Sequence, residues 1–195
     1  MKHPSNRTLF DYWNTRRGAR LAPERGEIEP SAIRQVLGDT FVVAIDSSAG
    51  HPFRLAGTRI CALLGRELKG EGFVRLWDKA AQNSINELVA VVMEEKVGVV
   101  ASVTSNAAHD PLLAIKLELL LLPLAYRSKN DARLLGALAP MAAPYWLGAK
   151  PVDPLRLGMF RHIGDTVDVV ATPPVTAAHG RLKHGLTVYD GGRTD

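Results

Sequence analysis

The sequence predicts an α+β fold with five strands and one long helix between the second and third strand. Two short segments rich in β-branched or aromatic residues flank Asp46-Ser-Ser-Ala-Gly50, which supplies turn chemistry, and predict a hairpin. A stripe of apolar residues at helical spacing over 79–95 predicts the helix. Three more apolar segments separated by polar turns complete the pattern. The predicted strands are 41–45, 53–56, 97–105, 113–122 and 133–141.

The composition is that of an ordinary globular protein. Hydrophobic residues make up 46% of the 195 residues and charged residues 23%, so the chain can bury a sizeable core. The formal charge of +4 is concentrated near the two ends. This basic charge is consistent with a solvated rim, or with an acidic partner or phosphate, and no nucleic-acid-binding module accompanies it. The clustered basic residues are Arg7, Arg16, Arg17, Arg20 and Arg25 at one end and Arg181, Lys183 and Arg193 at the other.

Several features predict a cytoplasmic protein that does not enter a membrane. Cys61 is the single cysteine, so no disulfide can form within the chain, which fits a reducing compartment. The first eight residues lack the apolar stretch of a signal peptide. The most apolar run, 112–125, contains Lys116, Glu118 and Pro123 and is shorter than the ~20 residues that a membrane-spanning helix needs.

Residues 1–38 are predicted to form a helical flank. Leu9, Tyr12 and Trp13 repeat at helical spacing, and Gly18 can end that helix. Its narrow apolar face has two ways to leave water, since it can pack on its own sheet or against a second copy. A second, short helix is predicted to begin at Pro30 and to end at Gly38.

Residues 39–142 carry the predicted core. A short helix capped by Thr58 follows the first hairpin and ends at Gly65. Asp78 is a suitable N-cap for the long helix, whose buried stripe comprises Ile85, Leu88, Val89 and Val92. In the strand 113–122, leucine and isoleucine alternate with Lys116 and Glu118, which predicts one buried and one wet face.

Beyond the core, prolines interrupt the chain. Residues 143–170 are predicted to be an extension, in which Leu155, Leu157 and Phe160 are compatible with one further short strand, but the predicted sheet stays at five. Residues 171–195 are rich in Pro, Gly and charge and are predicted to form a flexible tail.

Three stretches of sequence resemble a bacterial PAS-like domain family of about 200 residues that largely lacks an assigned function. The first runs from Tyr12-Trp13 through Gly18 and Pro23 to Ile28-Glu29-Pro30. The second is Phe53-Arg-Leu-Ala-Gly-Thr-Arg59, continuing to Gly70, and the third joins Leu134-Leu-Gly-Ala-Leu138 to Tyr145-Trp-Leu-Gly148. The resemblance implies a PAS-like five-stranded antiparallel sheet with helices packed on one face and an N-terminal flanking helix.

The resemblance also implies a class of function. PAS domains bind small ligands or cofactors, dimerise, or dock onto partner proteins, and this family supplies no catalytic residue to carry over. The expected function is a non-enzymatic sensory or protein-interaction domain, regulatory in signalling, that binds an unidentified small ligand or partner protein. The alternative is an enzyme that uses the PAS-like cavity for a small substrate.

The chemistry-bearing residues do not form a recognised catalytic or cofactor motif. The six histidines are scattered without a metal-ligand spacing, so no metal is predicted, and they offer no haem signature. Cys61 sits in Arg59-Ile-Cys61-Ala62, unlike the Asn-Cys-Arg signature of flavin-binding PAS domains, and is interpreted as a packed structural thiol. The cofactor therefore stays unknown.

The resemblance places a ligand cavity between the sheet and the helices that precede the long helix. Four residues are positioned to approach it: Arg59, Cys61, Leu64 and Trp77. An inward arginine would require an anionic partner. PAS-like domains also often dimerise through a flanking N-terminal helix, so a homodimer is predicted with Leu9, Tyr12 and Trp13 at its interface.

Overall fold

The computed structural model describes residues 1–108, 110–128, 131–163, 170–171, 181–183 and 186–188. Three α-helices lie in these ranges: α1 (Pro4–Arg17), α2 (Thr58–Leu64) and α3 (Gln82–Glu95). Short 3₁₀ turns occupy Arg25–Glu27, Pro30–Ile33, Leu37–Asp39 and Phe73–Leu76. The strands are β1 (Thr40–Ala44), β2 (Phe53–Ala56), β3 (Gly98–Ala107), β4 (Asp110–Pro123), β5 (Arg133–Pro140), β6 (Arg156–Ile163), β7 (Val170–Ala171), β8 (Arg181–Lys183) and β9 (Leu186–Val188).

The main sheet is antiparallel throughout, in the order β2-β1-β5-β4-β3-β6-β7. The five predicted strands and the long helix are present at nearly the predicted positions. The predicted count of five is wrong, because β6 pairs with β3 along most of its length and two-residue β7 pairs with β6. Prolines 151 and 154 lie before β6 and leave it free to form ladder hydrogen bonds.

The two faces of the sheet are covered by different helices. The core on one face joins α2, α3 and the turn Phe73–Leu76 to alternate residues of the strands, such as Leu117, Leu119 and Leu121. The opposite face, called here the α1 side, buries Leu120 and Leu122 beneath α1. The prediction of helices on one face therefore holds for α2 and α3, while α1 packs on the other face. The strand period of two supplies an apolar residue to each face in turn.

The predicted C-terminal extension is tied into the core. The Val152 amide donates to the Leu63 carbonyl at 2.9 Å, and the Leu155 amide donates to the Leu76 carbonyl at 2.9 Å. Leu155 is fully buried. Most of the predicted tail 171–195 lies outside the described residues; β8 and β9, which lie within it, pair antiparallel.

Candidate functional site

The space predicted to hold a ligand, between the sheet and α2, is filled by aromatic side chains. The ring centroid of Phe41 lies 5.5 Å from that of Phe53 and 5.4 Å from that of Phe73. Trp77 packs edge-on against Phe73 at 5.8 Å. Gly136 allows this packing, because a Cβ there would collide with the Phe41 ring. All four aromatic side chains are at most 2% exposed.

Arg59 points away from this core. Its Nε donates to Asp39 Oδ1 at 2.6 Å and its Nη2 to Asp39 Oδ2 at 2.7 Å. The side chain of Arg59 is 56% exposed, whereas that of Asp39 is 5% exposed. The Ser5 hydroxyl also donates to Asp39, at 2.6 Å. The hydrogen bond with Asp39 raises the pKa of Arg59. The Asp39 carboxylate therefore connects the turn before β1 to α2 through Arg59 and to α1 through Ser5.

Cys61, Leu64 and Trp77 lie in or beside the filled core. Leu64 is 1% exposed, and Cys61 is half-buried. Burial raises the pKa of the Cys61 thiol, and Glu67 adds to the effect, so the thiol is mostly protonated at neutral pH and is a weak nucleophile. The buried indole N–H of Trp77 finds no acceptor among the described residues. The structure thus gathers three of the four predicted residues and separates Arg59 from them.

The residues predicted at a dimer interface are used within the chain. Leu9 and Trp13 are 0% and 2% exposed beneath α1, so neither side chain offers a free surface to a second copy. The Trp13 Nε1 donates to the Pro123 carbonyl at 2.8 Å. The Tyr12 hydroxyl donates to the Glu27 carbonyl at 3.2 Å and accepts from the Glu29 amide at 2.8 Å. The homodimer itself stays a prediction.

Helix α1 covers only part of its side of the sheet. The uncovered part, called here the open sheet face, is a groove of about 550 Å³ over β3, β4 and β6. Its most exposed apolar side chains are Met159 and Met141, at 59% and 40%. Its side-chain lining comprises Met1, Lys2, Val100, Ser102, Thr104, Lys116, Glu118, Met141, Met159 and Arg161. Sequence reasoning missed this surface, because strand alternation does not show how far a helix will cover a face.

Glu118 lies at the boundary between α1 and the open sheet face. The wet face predicted for this residue is wrong, since Glu118 is only 7% exposed. Its carboxylate accepts hydrogen bonds from the Lys2 amide at 2.7 Å, the His3 amide at 2.9 Å and the Asn6 side chain at 3.1 Å. A carboxylate at the start of a helix also interacts favourably with the helix dipole. Glu118 therefore anchors the beginning of α1 on the sheet.

Comparison with known proteins gives the family. A family model described as a PAS domain matches residues 1–139 of the 195-residue chain. The chain belongs to this PAS domain family. No curated protein and no solved structure matches it. The PAS domain places the chain among sensory or interaction modules, and β6 lies beyond the part that the family model matches.

Within the described ranges, no group of three or more His, Cys, Asp or Glu side chains could hold a metal ion. No helix in the described part of the chain is long and apolar enough to cross a membrane.

Proposed function

We propose that this PAS domain is a non-enzymatic regulatory module that binds a partner protein through the open sheet face. The observation that carries the proposal is the filled core between α2 and the sheet. A small ligand in that region would have to displace Phe53, Phe73 or Trp77, each of which is at most 2% exposed. Displacing a buried aromatic side chain costs several kcal/mol. A partner that binds to the surface of the domain does not have to displace any of these side chains.

The open sheet face has the chemistry of a docking surface. Exposed methionines adapt to different partner shapes, because the side chain is flexible and polarizable. A second groove of about 460 Å³ shares Thr104, Lys116 and Met141 with the first, so the concave surface continues along β3 and β4. Among the described residues, the exposed side chains of Met141 and Met159 are the apolar centre of this surface.

The charge of the groove favours one kind of partner. Lys2, Lys116 and Arg161 line it, and the Glu118 carboxylate is occupied by the beginning of α1. A second copy would bring like charges together, which is unfavourable. An amphipathic acidic segment of another protein would place apolar side chains on Met159 and carboxylates on the basic rim. We therefore assign the groove to a partner segment of that chemistry.

The test uses a photo-crosslinking amino acid at position 159, with position 21 as the control. Leu21 is 68% exposed and does not line the groove. We expect position 159 to crosslink a protein that position 21 does not. With that protein purified, Met159→Glu is expected to weaken its binding at least about tenfold, since a charge enters the apolar centre, while Leu21→Glu leaves it within about twofold.

Three results would contradict this assignment. An equal loss of affinity in Met159→Glu and Leu21→Glu would mean that the weaker binding comes from the change in net charge and not from the groove. Crosslinking only to a second copy of the chain would show that this surface is a homodimer interface. Binding that appears only after removal of residues 164–195 would assign the groove to the chain's own C-terminal part.

A further inference from the structure

A second cavity, of about 610 Å³, lies at the other end of the α1 side and is lined by arginines. It is formed by the turn after α1, by β2, and by the connection from β4 to β5. Four arginines and two carboxylates line it, which leaves a net charge of +2. The charged lining residues are Glu24, Arg25, Arg54, Arg127, Asp131 and Arg133.

The sheet brings two of these arginines to one face through a β-bulge. Val42 pairs with Leu55 and Val43 pairs with Phe53, so Arg54 is the extra residue of the bulge. A bulge re-aims the side chain of the extra residue. Arg54 therefore reaches the cavity on the α1 side, whereas Phe53 enters the opposite core. Neither the bulge nor its direction can be read from the sequence.

The second of these arginines lies across the neighbouring strand. Arg133 pairs with Ala44 of β1, and paired residues of antiparallel strands face the same side. The small side chain of Ala44 leaves the space above β1 open, so Arg54 and Arg133 can approach each other over it.

Backbone contacts hold the opposite wall. The Ala125 amide donates to the Pro23 carbonyl at 2.8 Å, and Glu24 and Ala125 form a β-bridge. The Glu24 amide donates to Glu27 Oε2 at 2.7 Å, which closes the 3₁₀ turn that carries Arg25. Arg25 is thus presented by a turn that is hydrogen-bonded at both ends.

The positive charges of the cavity are only partly neutralised. Among the described residues, Arg25 and Arg54 have no carboxylate within ion-pair distance, while Arg127 pairs with Glu24 at 3.6 Å. Burial, followed by the charges of Arg54 and Arg25, lowers the pKa of Arg133. Like charges that disfavour one another's ionised form are stabilised by a bound anion.

We propose that this cavity binds a phosphorylated small molecule through a phosphate or diphosphate group. Guanidinium groups bind phosphate oxygens with paired, charge-assisted hydrogen bonds. The volume of about 610 Å³ lies within the usual range of small-molecule sites and exceeds what a single ion fills. Because this site is separate from the open sheet face, the proposal does not depend on the proposed function.

Tyr126 gives the cavity an aromatic wall. It lines the cavity and is 41% exposed. The Lys96 ammonium lies 4.2 Å from the centroid of its ring and has no hydrogen-bond acceptor among the described residues. This buried charge adds to the positive potential next to the cavity, and the ring offers a surface for the organic part of a ligand.

The test is calorimetric titration of the full chain with inorganic pyrophosphate, ADP and sulfate at equal ionic strength. We expect pyrophosphate or ADP to bind at least about tenfold more tightly than sulfate, because several guanidinium groups act on one ligand. Arg54→Gln is expected to weaken binding at least about tenfold. Arg34→Gln removes the same charge from an exposed site outside the cavity and is expected to change affinity less than about twofold.

Each outcome has a defined meaning once thermal unfolding shows that both variants are folded. Binding of pyrophosphate or ADP at least about tenfold more tightly than sulfate supports the site, and a tighter binding of ADP than of pyrophosphate would indicate a nucleotide rather than a free diphosphate. Pyrophosphate and ADP binding no more tightly than sulfate overturns the proposal. Equal effects of Arg54→Gln and Arg34→Gln also overturn it. A short poly-glutamate peptide that binds when pyrophosphate and ADP do not overturns the small-molecule assignment.

Discussion

At the scale of single residues, the polar groups of this PAS domain chiefly hold elements together. Asp39 accepts hydrogen bonds from Arg59 and Ser5, which lie in two different helices. His51 sits in the β1–β2 hairpin with φ of 58° and accepts a hydrogen bond on Nδ1 from the Asp46 amide at 3.2 Å. Neither Asp39 nor His51 lines any of the three cavities described above, and their contacts with other described residues join elements of the fold.

His51 leads to a prediction about pH. Burial lowers its pKa below the ordinary 6.5, although Asn86 and Asp46 act in the opposite direction. The unfolded chain therefore takes up a proton near pH 6.5 while the folded chain resists protonation. This part of the stability is present above pH 6.5 and is lost as the pH falls below it through the folded pKa. Urea unfolding between pH 7.5 and 5.5 measures the effect.

His51→Asn is the control for that prediction. Asparagine tolerates a positive φ and keeps an oxygen acceptor for the Asp46 amide, without a group that titrates in this range. Its stability is expected to vary less with pH than that of the parent. Parallel pH profiles for the two proteins would contradict the assignment.

Trp77 gives a second prediction at this scale. Its indole N–H is buried without an acceptor among the described residues, which costs free energy. Trp77→Phe removes that donor but leaves a small void, so the free energy of unfolding is expected to change by less than about 1 kcal/mol. A loss of more than about 3 kcal/mol would contradict this account, because an unpaired N–H and a small void together do not cost so much. Urea unfolding of both proteins measures this difference.

At the scale of elements, α1 is the flank that the sequence predicts, and it packs on its own sheet, which is one of the two arrangements that its apolar face allowed. Its apolar face packs on the sheet of its own chain, and Arg17 stacks over the Trp13 ring at 5.4 Å. Trp13→Ala is expected to lower the free energy of unfolding by about 3–5 kcal/mol, because a fully buried indole is lost.

Tyr12→Phe is the milder counterpart of that variant. It removes one hydroxyl that joins two backbone groups and is expected to cost about 1 kcal/mol. Urea unfolding and sedimentation would be measured together for both variants. A Trp13→Ala protein that keeps its stability but loses self-association would contradict the packing of Trp13 on its own sheet. It would show instead that α1 lies at a dimer interface.

The elements also show what the sequence could and could not predict. The alternation of apolar residues in β4 and the apolar stripe on α3 predict these elements and their buried faces directly, because each is a local pattern in the sequence. Whether the face of α1 packs on its own sheet or on another chain depends on a contact between Trp13 and Pro123, which is not local. The arginine cavity depends on a bulge at Arg54, which leaves no local signal, and on the pairing of the turn at Arg25 with Ala125, which is not a local contact.

At the scale of the whole molecule, the folded unit extends beyond the predicted core. The family model matches residues 1–139, but β6 and Leu155 complete the sheet and the core. A chain of residues 1–142 is expected to unfold at a lower temperature than residues 1–163, because it loses the strand paired with β3 and exposes the core beneath Leu155. Equal melting temperatures for the two chains would contradict this boundary.

The central proposal is that this PAS domain acts through its surface and that the packed aromatic side chains leave no room for a ligand between α2 and the sheet. Native mass spectrometry tests it most directly, on protein purified from its own cells and washed at high salt to remove loosely held anions. The account predicts the mass of the polypeptide alone, or an integer multiple of it. A stoichiometric organic ligand that survives the wash, and is lost in a Leu64→Trp variant that remains folded, would contradict it.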